Sequence, residues 1–183
     1  MKVHERIDGR LREFILSQPM FFVASAPTGA DGHVNVSPKG MAGTFAVLDE
    51  LRVAYLDFHG SGAETTAHLR ENGRITLMFC AFQGPPNIVR LHGTGRAVPI
   101  TDPEYAELLA LFPDPPDTHA VRAIIDVAVH RVSDSCGYSV PLMSYAGDRD
   151  LLVRAHSRRT DDDLAEYRRV KNATSIDGLP AFS

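Results

Sequence analysis

The sequence predicts a mainly β protein, an antiparallel barrel or sandwich with a few peripheral helices. Three observations lead there. Six or so strand-like runs follow one another with only occasional helices between them, a pattern foreign to parallel doubly wound sheets. HVNVS alternates Val34 and Val36 with His33, Asn35 and Ser37, so this strand has two unlike faces. LHGTGRAV sets two glycines inside a long strand, where they permit a sharp bend around a closed or split barrel.

The elements follow in order. Ile7, Leu11, Phe14 and Ile15 fall at helical spacing and predict an amphipathic helix over residues 5–17. Strands are expected at 20–27, 33–37, 44–48 and 51–58, the first two joined by the turn-forming TGADG. Residues 61–72 read as a helix, with Ser61 and Glu64 as a capping box and Asn72-Gly73 as the stop. Strands at 74–82 and 87–100 flank the turn-rich QGPP. Thr101 and Glu104 are expected to cap a helix over 102–112, with Pro103 in its first turn. A long strand at 121–133 and a loop, CGYSVPLMSY, come next. A helix over about 160–171 then opens on three aspartates that suit its dipole. One domain, 1–183, is expected, with a core of about 20–133 and a helical and loop extension of about 134–183.

Composition narrows the function. At 44% hydrophobic and 23% charged the chain is ordinary and globular. A net charge of −4 argues against a nucleic-acid surface. MKVHERIDGRLREF has charges where a signal peptide needs an apolar stretch, and MFFVASA and ITLMFCAF are too short to span a membrane. A cytoplasmic protein that touches neither membrane nor nucleic acid is therefore expected. Cys80 and Cys136 lack metal or redox spacing, and Cys80 reads as a buried thiol. Of the 19 cations only Lys2, Lys39 and Lys171 are lysines, so Lys39 is the single interior one.

Each motif has a bland reading beside it. GSGAET, from Gly60 to Thr65, lacks the third glycine and the βαβ context of a dinucleotide site. A Gly-rich turn feeding a helix still offers N–H groups to an anion, with Ser61, Thr65 and Thr66 as hydroxyl donors. The alternative is that Ser61 only caps the helix and the threonines face water. In SPKG, Pro38 cannot donate to a ladder, so the strand stops or runs at an edge, leaving Ser37 and Lys39 at a strand end. A solvated surface lysine is the bland reading there. The eight histidines form no metal-ligand pattern, so no metal is assigned. GYSVP has Pro141 where a serine-hydrolase elbow needs its second glycine.

Taken together, DGHVNVSPKG, RVAYLDF, SGAETTAHLRENGRITLMF and IVRLHGTGRAV, in this order, resemble the pyridoxamine 5′-phosphate oxidase-like family of FMN-binding split β-barrels. CGYSVPLM and EYRRVKNATSIDGLPAF resemble one branch of it. The resemblance implies an antiparallel split β-barrel, a homodimer with FMN between two barrels, and flavin-dependent oxidoreduction of a small molecule. It places Asn35, Val36 and Ser37 along the flavin ring, Lys39 near the ring and substrate, and Leu56 and Asp57 beside the cofactor. Arg90 and His92 fall on the strand that reaches the flavin from the partner subunit. Glu64 and Thr65 stand where the oxidase has an Arg-Lys pair for the phosphate, leaving Ser61 or Thr66 and backbone amides to compensate. Val34 replaces a further arginine, and SIDGLPAF has no counterpart to the oxidase's substrate motif. Oxidation of pyridoxamine phosphate is therefore not expected. A deazaflavin in place of FMN, a carrier of flavin or haem without turnover, and a cofactor-free dimer are the other readings.

Overall fold

The computed structural model describes residues 1–182. In chain order they form β1 (Lys2–His4), α1 (Gly9–Ser17), β2 (Met20–Ser25), β3 (Asn35–Gly40), β4 (Phe45–Asp49), β5 (Arg52–Phe58) and α2 (Glu64–Glu71). They continue with β6 (Arg74–Cys80), β7 (Ile88–Pro99), α3 (Tyr105–Leu109), β8 (Val121–Ser135), α4 (Leu151–His156) and α5 (Asp161–Lys171). The strands pair in the order β3-β2-β6-β7-β8-β5-β4, with β1 added along β8, and every pairing is antiparallel.

This order forces curvature. The two end strands, β3 and β4, are neighbours in sequence and are joined only by residues 41–44. So short a link spans less than about 20 Å even when extended, so the sheet must curl until its first and last strands approach each other. Thr44 holds that corner. Its hydroxyl donates to the carbonyls of Gly40 and Met41 at 2.9 and 2.8 Å, and its own carbonyl accepts from the Leu56 N–H at 2.8 Å. The result is a split half-barrel with peripheral helices, as expected.

Alternation fills the barrel. Phe21 and Val23, Ile75, Leu77 and Phe79, and Val89 and Leu91 are buried at every second position of β2, β6 and β7. Phe21, Phe45, Phe79 and Tyr55 interlock at centroid distances of 5.0–5.5 Å. Ile7, just ahead of α1, and Leu11 and Ile15 within it close this core. The bend expected in LHGTGRAV falls on Gly93. The register with β8 shifts between His92 and Gly93, and a Cβ on Gly93 would lie 2.4 Å from the Ala128 carbonyl oxygen. No side chain fits there.

Several boundaries differ from the sequence reading. α1 starts at Gly9 because Asp8 caps it, accepting the Leu11 N–H at 2.8 Å. The Ser61–Glu64 capping box does not form. Arg122 and Asn172 bind the carbonyls of Gly60 and Gly62, so the helix begins at Glu64, with Ala63 as N-cap and no side-chain cap. Thr101 and Glu104 do not cap a helix over 102–112. Asp102 takes the Glu104 N–H instead, and only Tyr105–Leu109 is helical. β8 runs on to Ser135, where β7 still pairs with it. Neither β1 nor α4 was anticipated: each is too short for a period to show. α5 keeps its expected place, with a full Thr160–Asp163 capping box.

Candidate functional site

β3 runs at the edge of the sheet, as Pro38 requires, paired on one side to β2 and continuing through Pro38 to Gly40. Its alternate residues separate into two faces. Asn35, Ser37 and Lys39 are half-buried, whereas Val36 is 61% exposed and Val34 71%.

The inward row is a chain of hydrogen bonds. The Ser37 hydroxyl donates to Asn35 Oδ1 at 3.0 Å, and Asn35 Nδ2 donates to Thr65 Oγ1 at 3.0 Å and to Ser25 Oγ at 3.4 Å. Ser25 Oγ continues it to His68 Nδ1 at 3.0 Å. Thr65, Thr66 and His68 are all buried, so the reading in which the threonines face water is overturned. β7, β2 and β6 pack against α2, and Asn35 ties it to β3. The Thr66 hydroxyl and His68 Nε2 are buried with no hydrogen-bond partner among the described residues. Burial lowers the His68 pKa, which keeps the ring neutral.

At its far end the row meets a buried ionic bridge. Lys39 Nζ donates to one oxygen of Asp57 at 2.8 Å, and Arg122 Nε donates to the other at 2.8 Å. Arg122 also binds the carbonyls of Gly60 and Gly62 at 3.3 and 2.7 Å. The Asp57 side chain is 3% exposed. Burial works to raise its pKa, but the two cations outweigh burial and hold it at about 2. Lys39 also lies over the Tyr55 ring, 5.8 Å from the centroid. It is therefore no solvated surface lysine: its side chain is 25% exposed and its charge is neutralised from within.

The outward face is a second surface. Across four strands the register aligns Val36, Ala24, Thr76 and His92 in one row, and Pro38, Phe22, Met78 and Arg90 in the next. His92 Nδ1 meets the Thr76 hydroxyl at 3.1 Å, and burial lowers its pKa. Arg90 donates to Ser135 Oγ at 3.2 Å. The expected residues thus form two groups. Asn35, Ser37, Lys39, Asp57, Thr65 and Thr66 stand on the inner side, and Val36, Arg90 and His92 on the outer. Leu56 belongs to neither, its side chain being packed with Ala54, Val98 and Ile124, and Ser61 is exposed ahead of α2. Arg122, Ser25 and His68 escaped the sequence reading. Only Arg122 left a signal, as a charge inside the apolar run VRAIIDVAVH.

The start of α2 differs from the rest. Residues 172–182 fold over it as a strap held by Asn172, which is fully buried and donates to the Gly60 carbonyl at 2.8 Å. Behind the strap His59 joins three elements. Its Nδ1 meets the Ala120 carbonyl at 2.8 Å, which leaves Nε2 to accept from Arg168 at 2.9 Å. Its carbonyl meets His156 Nε2 at 3.2 Å. Burial pushes the His59 pKa down to about 4.

Residues 7–136 match the sequence profile of the family described as pyridoxamine 5′-phosphate oxidase. The pyridoxamine 5′-phosphate oxidase family protein ustO of Aspergillus flavus is 40% identical over 193 residues, covering 98% of this chain and 77% of ustO. This chain belongs to the pyridoxamine 5′-phosphate oxidase family. Solved structures carry the fold alone at lower identity. The Group A Streptococcus protein HupZ is 18% identical with a TM-score of 0.55, over 75% of this chain and 99% of HupZ. A conserved hypothetical protein of Mycobacterium tuberculosis is 16% identical with a TM-score of 0.50, over 81% of this chain and 99% of its own.

FMN, which membership implies, fits these residues in part. The one-sided pairing of β3 leaves an edge of backbone donors and acceptors beside the polar row, and Lys39 has ammonium donors beyond the one that Asp57 takes. That is a setting for a planar, hydrogen-bonding ring. The phosphate does not fit at α2: Glu64 stands there and the strap covers the helix start.

Proposed function

We propose that this family member binds a flavin-type cofactor, FMN or a deazaflavin, by its ring along β3. It would act as an oxidoreductase on a small molecule, working as a homodimer whose outward sheet faces, with Val36, Arg90 and His92, meet at the cofactor. When bound, the flavin supplies the hydride and electron chemistry. The chain's residues do the rest. Asn35 and Ser37 fix the edge strand, and Lys39 sets a positive charge at its end. The observation that carries this reading is the Lys39–Asp57–Arg122 bridge, in which the buried Asp57 and Arg122 fix a partly open Lys39 ammonium at the end of the edge strand.

Absorbance between about 350 and 500 nm on the purified protein, and after adding FMN, tests cofactor binding through the ring's own chromophore. Protein that stays colourless and takes up neither FMN nor a deazaflavin sinks the proposal. In the loaded protein Lys39→Met is expected to make the flavin harder to reduce, because a cation favours the reduced, anionic ring. An unchanged potential removes Lys39 from that role. One observation favours a carrier without turnover: Asp57 already occupies Lys39. Failure of NADPH to reduce the loaded protein, with artificial reductants succeeding, would support the carrier.

A further inference from the structure

We infer that the C-terminal strap, Ala173–Phe182, acts with Glu64 as a specificity element that closes the start of α2 to a terminal phosphate. The protein then recognises a flavin by its ring and not by a phosphate at this position.

A phosphate monoester carries close to two negative charges and is held by N–H groups and cations. The start of a helix is the ordinary place to hold one. Here the chain fills that place itself. Ala181 is 3% exposed and packs with Ala63 and Ala67, at the N-cap and first turns of α2, and Leu179 and Phe182 lie against the same cluster. Glu64 brings a carboxylate to the first turn, where it accepts the Ile176 N–H at 3.4 Å. The carboxylate folds back over the preceding turn, so that a Cβ at Gly62 would stand 2.5 Å from Oε2. The nearby cation is engaged as well. Arg122 binds Asp57 and two carbonyls, with the Phe182 ring stacked on its guanidinium at 4.9 Å.

The strap is also ordered within itself. Ala181 N–H donates to the Ala173 carbonyl at 2.8 Å, and Ser175 Oγ accepts the N–H groups of Asp177 and Leu179 at 3.2 Å. Asp177 accepts both the backbone N–H and the Nδ1 of His33, at 2.9 and 2.7 Å, tying the strap to the segment ahead of β3. A phosphate at α2 would have to displace these apolar contacts and approach a carboxylate. Both effects oppose it.

The choice among flavins rests on the cofactor reading above; the closing of α2 does not. Two measurements keep them apart. In the first, backbone amide NMR signals of Glu64–Thr66 are followed while inorganic phosphate is added. The full chain is expected to show no shift, and a chain ending at Asn172 is expected to show saturable shifts. Shifts in the full chain, or none in the shortened chain, overturn the closure. If the shortened chain does not fold, L179S/F182S replaces it, with the same outcomes. In the second, flavin fluorescence titrations compare riboflavin with FMN. The full chain is expected to bind both within about threefold, and the opened chain to favour FMN by about tenfold. A full chain that already favours FMN by about tenfold overturns the specificity. Binding of neither flavin ends the cofactor reading, and the phosphate titration alone then decides the closure.

Discussion

The two ends of the inward row solve opposite problems. At the Lys39 end the protein buries a carboxylate and surrounds it with two cations, leaving one ammonium partly open. At the Glu64 end Arg122 is turned to the carbonyls of Gly60 and Gly62, while a carboxylate stands on the helix start beneath the strap. One end presents a partly open cation, the other a carboxylate under cover. On the proposed function, the chain keeps the part of a site that would orient a ring and rebuilds the part that would hold the ring's tail.

The contrast breaks most severely at Asp57. Asp57→Ala leaves Lys39 and Arg122 without their shared partner and is expected to lower stability by about 3–5 kcal/mol, read from urea denaturation. A loss below about 1 kcal/mol would mean that the bridge is no more than a surface pair. Acid should separate the two ends next. His59 has a folded-state pKa near 4, below its ordinary 6.5, so its stability contribution is complete above pH 6.5 and is lost as pH falls toward 4. Asp57, near 2 rather than 3.8, contributes fully above pH 3.8 and fails only as pH falls toward 2. Amide hydrogen exchange should therefore rise first in residues 151–182 and around His68, whose pKa burial also lowers, and only later in β5; the reverse order would refute the assignment. Arg168→Met removes the donor to His59 Nε2 and is expected to loosen the C-terminal unit by about 1–2 kcal/mol, seen as faster proteolysis after residue 150. The smallest effect is expected from Asn35→Ala, about 1 kcal/mol from lost side-chain hydrogen bonds. It should leave proteolysis of the strap unchanged.

What the sequence revealed follows from the range of the forces. Strands with one buried face show their period of two, and Pro38 announced an edge because a missing N–H is a local fact. Lys39 stood out by residue type, yet its partners Asp57 and Arg122 lie 18 and 65 positions away from Lys39 and Asp57 in turn, too far for any spacing rule. Arg122 could have been found as a charge in an apolar strand, since a buried charge requires a partner. Within the expected helical and loop extension the strap left no signal of its own, because its burial comes largely from small residues, Ala181 against Ala63 and Ala67, which leave no amphipathic period. Ser61 misled for a related reason. Its local capping preference lost to Arg122 and Asn172, which bind the turn from distant parts of the chain.

β8 has a consequence for how the molecule is made. It pairs with β7, β5 and β1, bringing Lys2 beside Asp134 and Arg52 beside Ala128. The β4–β5 hairpin therefore has no sheet to join until the chain has been synthesised beyond residue 121. Until then Val53 and Tyr55, completely buried in the finished fold, have no lasting cover. During translation the protein is a four-stranded sheet, β3-β2-β6-β7, and an orphan hairpin awaiting one late strand, the interval in which such surfaces are most prone to aggregate.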